Sequence, residues 1–473
     1  MGATLEAERA SEWARMHATK APALAAFNEA KFGMFIHWGL YSLPGGVWKG
    51  ERMEDGGVGP GVAEWVMRRK SIPRDEYAQL AEAFNPVGFD ADEWAQLAAD
   101  AGMRYMVITT KHHDGFALFE SNVSAYNIVD ATPFKRDVVA ELHGACERTG
   151  VRFGAYYSHT LDWYDGGDYG LQYAEKNGDG TPTCIVKAVN DWDPSPRTFD
   201  DYMQNKSVAQ VTELAQRYPD LFLVWFDGAG HIPAEISHAL YEAIYEHAPQ
   251  ALVNSRISKD DLPDKVCDYQ SAGDNHVPTP DEIESTHWET CGTTNNSWGF
   301  KSYDQDWKCA LEVLSWLVDV VSRGGNYLLN VGPDGNGKIP AACVAILRDV
   351  GAWMRVNGEA IYGSRAWTVS REGPTQVART GTGNRAQAGF STAFTAQDFW
   401  FTSKGKTVYA IGLAQPADRQ VLVRSLADVT VAAVRMLGSE DAVDWEQTPD
   451  GLRVRLPSFL SKLGYALAIK VTA

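Results

Sequence analysis

FDADEWAQLAADAGMRYMVITTKHHDG, residues 89–115, carries a helix, a break and a strand in one phrase. Asp90 stands where an N-cap accepts a backbone N–H, and Glu93, three residues on, completes a capping box. Ala91, Trp94, Leu97, Ala98 and Ala101 fall on one face at helical spacing. Gly102 suits the C′ position that ends a helix. Tyr105–Thr110, largely apolar, reads as a buried strand, and it ends in Lys111, His112, His113 and Asp114. Four titratable side chains at the end of such a strand need a common destination.

The phrase recurs. RDVVAELHGACERTG (136–150) leads into VRFGAYYSH, SVAQVTELAQRYPD (207–220) into LFLVWFDG, PAEISHALYEAIYEHAPQ (233–250) into ALVNSR, and LEVLSWLVDVVSRGG (311–325) into NYLLNVGPDG. FNEAKFGMFIHWG (27–39) supplies an earlier strand with the same kind of ending. Strands alternating with helices pair in parallel, and near-continuous apolar strands are covered on both faces. The pattern predicts an α/β fold, a (β/α)8-like TIM barrel, over residues 1–360 as the catalytic unit. A doubly wound open sheet is the alternative, and it is weakened because no GxGxxG or P-loop follows any strand. Beyond residue 360 the texture changes to short alternating runs with many turn residues, such as FWFTSKGKTVYAIGL (399–413) with Lys404-Gly405 at a hairpin tip. Residues 361–473 are therefore expected to form a C-terminal antiparallel β-sandwich. The glycine-rich run 54–61 and the connection 160–200 read as loops, the latter placed to shape a cleft.

The net charge of -18 and the lack of a basic run argue against nucleic acid or anionic lipid as a partner. No apolar run reaches the ~18–20 residues of a membrane span. The first residues lack the pattern of a secretory leader, so the expected compartment is cytoplasmic, or secreted or periplasmic if a leader was removed. The six cysteines show no CxxC and are expected to be core residues. The sixteen tryptophans fit either a core or a sugar cleft, whose apolar ring faces they cover.

In parallel barrels the strands' carboxyl ends share one mouth. Collected there would be His37 and Trp38, then Lys111 to Asp114, then Tyr156 to His159, then Trp225, Phe226 and Asp227, then Asn254, Ser255 and Arg256, with Asp268, Asp274 and Glu289 following. Paired carboxylates with His and Arg donors and aromatic walls are what a glycosidase needs: a nucleophile, an acid, and groups that hold hydroxyls. Each residue has a plainer reading. Asp227 precedes Gly228 and could be a turn residue or a helix cap. Adjacent histidines in a regular strand face opposite ways, so only one of His112 and His113 would reach a ligand. His37 could be a satisfied core group, Glu64 a solvated helix residue, and Arg256 a neutraliser of a buried carboxylate. Glu289, beside Trp288, could form a structural pair. The functional reading rests on their convergence.

AKFGMFIHWGLYSLPGGVW (30–48), AEWVM (63–67), YMVITTKHHDGFALFES (105–121), LVWFDG (223–228), NSR (254–256), HWETC (287–291), NSWGF (296–300), SRGGNYLLNVGPDGNG (322–337) and VNGEAIYGSRAW (356–367) occur in this order. Together they resemble the family 29 glycoside hydrolases, the retaining α-L-fucosidases. The resemblance implies a barrel followed by a β-sandwich, a two-step displacement on a fucosylated glycan, and no cofactor or metal. It implies Asp227 as nucleophile, and His37, Glu64, Trp65, His112, His113, Trp225, Arg256 and Trp298 as fucose-binding groups. One of Tyr156 and Tyr157 should join them, with Tyr157 favoured. Phe35, Trp225 and Trp298 match the aromatic positions that hold the sugar's methyl group. Many members carry a glutamate acid shortly after the Asp-Tyr that follows the arginine strand. This sequence has Gly273 and Asp274 there, which puts Glu289 first as acid/base and Asp274 second.

Two rival readings remain. A metal-dependent barrel hydrolase or isomerase would use His37, His112 or His113, His159 and Asp227 as ligands, although no HxH or HExxH supports it. A sugar-binding protein that has lost its chemistry is the other. The sequence leaves the oligomeric state and the linkage cleaved open.

Overall fold

The computed structural model describes residues 2–166, 172–176, 182–187, 189–228, 232–258, 266–376, 393–459 and 461–472. Two helices, α1 (Gly2–Ala18) and α2 (Ala21–Ala30), precede the first strand. The barrel strands are β1 (Phe32–Ile36), β2 (Tyr105–Lys111), β3 (Arg152–Ser158), β4 (Leu223–Asp227), β5 (Leu252–Val253), β6 (Gln270–Asp274), β7 (Trp288–Thr293) and β8 (Asn326–Val331). Between and after them run α3 (Ala91–Asp100), α4 (Val138–Thr149), α5 (Val208–Arg217), α6 (Ala234–His247), α7 (Ala310–Ser322) and α8 (Ala341–Asn357).

The eight strands are parallel, with β8 bonded to β1, so the sheet runs unbroken from β6 round to β5. One parallel bridge, Asn254 to Tyr269, joins its two edges and closes the cylinder. The seam is reinforced where the Val253 N–H donates to Asp268 Oδ2 at 2.8 Å. Asp268 also accepts from His17 Nδ1 at 2.7 Å, Lys20 Nζ at 2.8 Å and Tyr241 Oη at 2.7 Å, which ties α1, the α1–α2 turn and α6 to the seam.

The phrase that predicted the barrel folds as read, with one change. Asp90 caps α3 by accepting the Glu93 N–H at 2.9 Å, and Gly102 takes φ +83°. The Glu93 side chain does not turn back to complete a capping box. It reaches Lys338 Nζ at 3.0 Å, because α3 lies beside the loop after β8 and a cation is available there.

Period-two alternation sorts each strand into an inner and an outer face. Phe35, Tyr105, Val107, Tyr156, Leu223, Trp225, Leu252, Cys291 and Leu328 form the barrel interior, and Leu24, Phe27 and Ala30 of α2 floor it. Gly33 is required here: a Cβ at that position would lie 2.5 Å from the Tyr105 ring, which crosses β1 on its way to Glu289.

The C-terminal part is antiparallel. β9 (Arg365–Glu372), β10 (Phe399–Lys404), β11 (Thr407–Gly412), β13 (Val431–Met436) and β16 (Tyr465–Val471) make a five-stranded sheet. β12 (Gln420–Val423), β14 (Asp444–Thr448) and β15 (Gly451–Arg455) make a three-stranded one. Their inner faces share a core of Phe399, Phe401, Val423, Leu452, Leu467 and Ile469. Trp400 Nε1 donates to Asp319 Oδ1 of α7 at 3.0 Å, so the sandwich leans on the barrel's helices. The long connection after β3 contains a backbone hairpin, Gln172–Lys176 with Pro182–Lys187, and part of it falls outside the described residues. Cysteine usage departs from expectation: Cys146, Cys291 and Cys343 are buried, Cys267 is half-buried, and Cys309 is exposed at the N-cap of α7. The Cys184 side chain lies outside the described residues.

Candidate active site

The inward alternation of β4 runs Leu223, Trp225, Asp227, so the last carboxylate emerges at the mouth directly above an indole. Asp227 is not a helix cap: α6 starts later, after Pro233. Its Oδ1 accepts from Arg256 Nη1 at 3.1 Å, its Oδ2 accepts from Tyr156 Oη at 2.9 Å, and His113 Nε2 stands 3.7 Å from the same oxygen. Burial alone would raise its pKa. Arg256, His113, the Gly228 N–H and the Tyr156 hydroxyl outweigh that and hold it at about 2.

Arg256 stacks over the Trp225 ring, with its guanidinium carbon 4.6 Å from the centroid. Its second terminal nitrogen, Nη2, binds Asp274 Oδ1, so one guanidinium bridges both carboxylates. Asp274 closes β6 after an irregularity in register, between Gly273 at φ +144° and Asn275 at φ +47°. Its side chain keeps 35% of its surface open, against 21% for Asp227.

The two histidines of the opening stretch both reach the mouth. β2 ends at Lys111 and the chain turns, with the Gly115 N–H returning to the His112 carbonyl at 3.1 Å, so strict alternation no longer applies. His112 stacks on Tyr156 with ring centroids 5.5 Å apart, and its buried Nδ1 has no partner among the described residues. His113 is oriented through Nδ1 by Ser158 Oγ at 2.7 Å. His37 is oriented through Nδ1 by Asn330 Oδ1 at 2.7 Å. Burial lowers the pKa of His37 and His113 to about 4 and holds that of His112 well below the ordinary histidine value. All three are therefore neutral near pH 7, and with Nδ1 of His37 and of His113 already engaged, each of these two rings offers a polyol its Nε2.

Aromatic rings wall this space. Phe35 lies 5.0 Å from Trp225 and 6.1 Å from Trp298, centroid to centroid, and Trp65 lies 5.3 Å from His113. Glu64 sits in a short 3-10 turn, buried, and accepts the Gly299 N–H at 2.8 Å. Burial raises its pKa to about 7.

Two expected residues lie elsewhere. Tyr157 points outward and donates to Gln210 Oε1 of α5 at 2.8 Å. Tyr156, in register with Trp225, is the tyrosine at the site. Glu289 is inside the barrel but below the mouth, 1% exposed, one residue into β7. Tyr105 Oη and Trp225 Nε1 donate to its two oxygens at 2.5 and 2.9 Å, and burial raises its pKa to about 7. Trp225 roofs it. Glu289 ranked first in the sequence because Gly273 and Asp274 stand where many family members carry a glutamate; in the structure Glu289 stands near the beginning of its strand.

Sequence reasoning passed over Asn330, and it placed Ser158 at the mouth without a role; the two orient His37 and His113. Alternation along β8, counted inward from Leu328, was the available signal for Asn330. The donor geometry also disfavours the metal reading: His159 faces the Asp227 and Ile257 carbonyls at 3.0 and 2.8 Å with both ring nitrogens. Among the described residues, the group with metal-like spacing is His143, Glu147 and Asp220, on α4 and the turn into β4, at the opposite end of the barrel.

A barrel mouth that sets paired carboxylates beside aromatic faces is built for glycoside hydrolysis. Comparison with known proteins narrows the class. The family profile Alpha-L-fucosidase matches residues 3–359, and Alpha-L-fucosidase C-terminal domain matches residues 393–472. The chain belongs to the alpha-L-fucosidase family. The tissue alpha-L-fucosidase of Mus musculus is 30% identical, over 94% of this chain and 91% of its own length. The crystal structure of alpha-L-fucosidase from Vibrio sp. strain EJY3 aligns with a TM-score of 0.77 at 30% identity, covering 96% of this chain and 73% of that one. Alpha-L-fucosidase AlfC from Lactobacillus casei, solved with alpha-L-fucose product, is 40% identical over 70% of this chain and 97% of its own, with a TM-score of 0.61.

Proposed function

We propose that the chain removes terminal α-L-fucosyl residues from oligosaccharides or glycoconjugates by double displacement, with Asp227 as nucleophile and Asp274 as acid/base. The observation that carries this reading is the Arg256 bridge between the two carboxylates at the mouth. A guanidinium joining two carboxylates keeps them on the scale of the ~5–5.5 Å separation of retaining pairs.

In the first step Asp227 Oδ attacks the anomeric carbon and the glycosidic bond breaks, while Asp274 gives its proton to the departing oxygen. In the second step Asp274 takes a proton from water, and that water's oxygen replaces Asp227 at the anomeric carbon. His37, His112, His113, Glu64, Trp65, Tyr156 and Arg256 hold hydroxyls, and their bonds strengthen as the ring flattens. Phe35, Trp225 and Trp298 receive the methyl group, worth only ~1 kcal/mol, so hydroxyl readout carries more of the selectivity. The division into a catalytic barrel, 1–360, and a sandwich, 361–473, is supported by the ranges of the two family matches.

Asp227→Gly tests the reading. It is expected to remove turnover of an aryl α-L-fucoside while leaving the fold intact. Added azide should restore part of the rate and yield the β-L-fucosyl azide. Full activity without azide would overturn the assignment.

A further inference from the structure

Cys291 has no place in the mechanism above, yet it is 1% exposed, faces the barrel interior from β7, and lies at the acid. Its Sγ is 3.2 Å from Asp274 Oδ1 and 3.7 Å from the Gly273 carbonyl. A thiol has one proton, and the nearer acceptor takes it. Arg256 Nη2 donates to the same oxygen. Asp274 Oδ1 therefore collects two donors, one from the turn after β5 and one from β7. Asp274 Oδ2 has no partner among the described residues, and the side chain is 35% exposed.

Two donors on one carboxylate oxygen decide where the carboxyl proton goes. An oxygen already accepting two hydrogen bonds is the poorer site for a third hydrogen, so the proton resides on Oδ2. We infer that Cys291 is a positioning residue: with Arg256 it saturates Asp274 Oδ1 and presents the transferable proton on Oδ2, toward the leaving oxygen. This rests on Asp274 as acid/base. Arg256 and Glu289 are the other charged or titratable groups around the thiol, and neither accepts its proton at hydrogen-bond distance among the described residues.

Three variants of the full chain separate the cases, each assayed for kcat/KM on an alkyl α-L-fucoside, whose poor leaving group needs the acid, and on a dinitrophenyl α-L-fucoside, which does not. Cys291→Ala is expected to lose about tenfold on the alkyl substrate, the scale of one hydrogen bond to a charged group, and less than about twofold on the dinitrophenyl one. Cys291→Ser, which keeps a donor of similar reach, should recover most of the alkyl rate. Asp274→Ala should lose far more, with the same substrate selectivity. Equal losses on both substrates in Cys291→Ala, or a serine variant no better than alanine, would assign Cys291 to packing and overturn the inference. If Asp274→Ala loses equally on both substrates, the acid assignment itself falls, and the role of Cys291 with it.

Discussion

Glutamine at position 289 removes a charge and keeps a shape. Glu289 accepts from Tyr105 Oη and Trp225 Nε1, one on each oxygen. The indole can only donate, whereas the phenol can also accept. Glutamine therefore turns its carbonyl to Trp225 and its amide to Tyr105, and both bonds survive. The expected loss is two contacts to a carboxylate, whose pKa burial already raises to about 7, traded for two neutral ones, about 1 kcal/mol, or less than about tenfold in kcat/KM. With Asp274 as the acid, that loss should be the same for alkyl and dinitrophenyl α-L-fucosides. Alanine is different. It strands two buried donors at ~1–3 kcal/mol each, so roughly 2–6 kcal/mol of stability is lost before the cavity opened beneath Trp225 adds its own cost. Urea unfolding of both variants, set beside their kinetics, separates the two effects. A general acid's removal costs 10²–10⁴-fold on the poor leaving group, roughly speaking, and little on the good one. A loss of that size and selectivity in Glu289→Gln would refute the assignment of Asp274.

Tyr156→Phe removes a hydrogen bond to the ionised Asp227 and should lower kcat/KM at least about tenfold, whereas Tyr157→Phe, outside the barrel wall, should leave kinetics alone and cost about 1 kcal/mol in unfolding. With His37 and His113 at about 4 and Asp227 at about 2, the acid limb of kcat/KM is expected near pH 4; a limb near the ordinary histidine pKa of ~6.5 would contradict the depressed values. The same histidines take up protons near pH 6.5 when unfolded and near 4 when folded, so stability should fall as pH falls through that window, measured by urea midpoint against pH. Asp268→Asn leaves Lys20 buried and uncompensated and should cost about 3–5 kcal/mol in unfolding while sparing turnover of the folded enzyme. The Asp268 pKa is lowered in the fold by its donors against the pull of burial, so that contribution is present above its unfolded pKa and fades as pH drops below it.

Much of the barrel was legible because each strand announces itself twice, by its own apolar run and by the amphipathic helix beside it. The strand ends then pointed to Asp227, Arg256 and the histidines. What stayed hidden was orientation. Tyr156 and Tyr157 sit in a strand apolar on both faces, so neither pattern nor composition separates them; only pairing with Trp225 does. Alternation admitted one histidine of His112-His113, and the structure admits both, because β2 stops one residue earlier. Depth was hidden as well. Glu289 and Asp274 are both acids near strands, and only the contacts show that Glu289 lies beneath the indole while Asp274 meets the Arg256 that stacks over it.

The cylinder is joined along seven of its edges by ladders and along the eighth by a lone bridge at Asn254 and Tyr269. A hoop with one weak rivet opens there first. Amide exchange should begin at Val253, Asp268 and Tyr269, and loosening α1, whose His17 and the neighbouring Lys20 hold Asp268 from below, should hasten it. Arg256 and Asp274 flank that join on either side, so whatever slackens the rivet also lets these two drift apart before the rest of the barrel unravels.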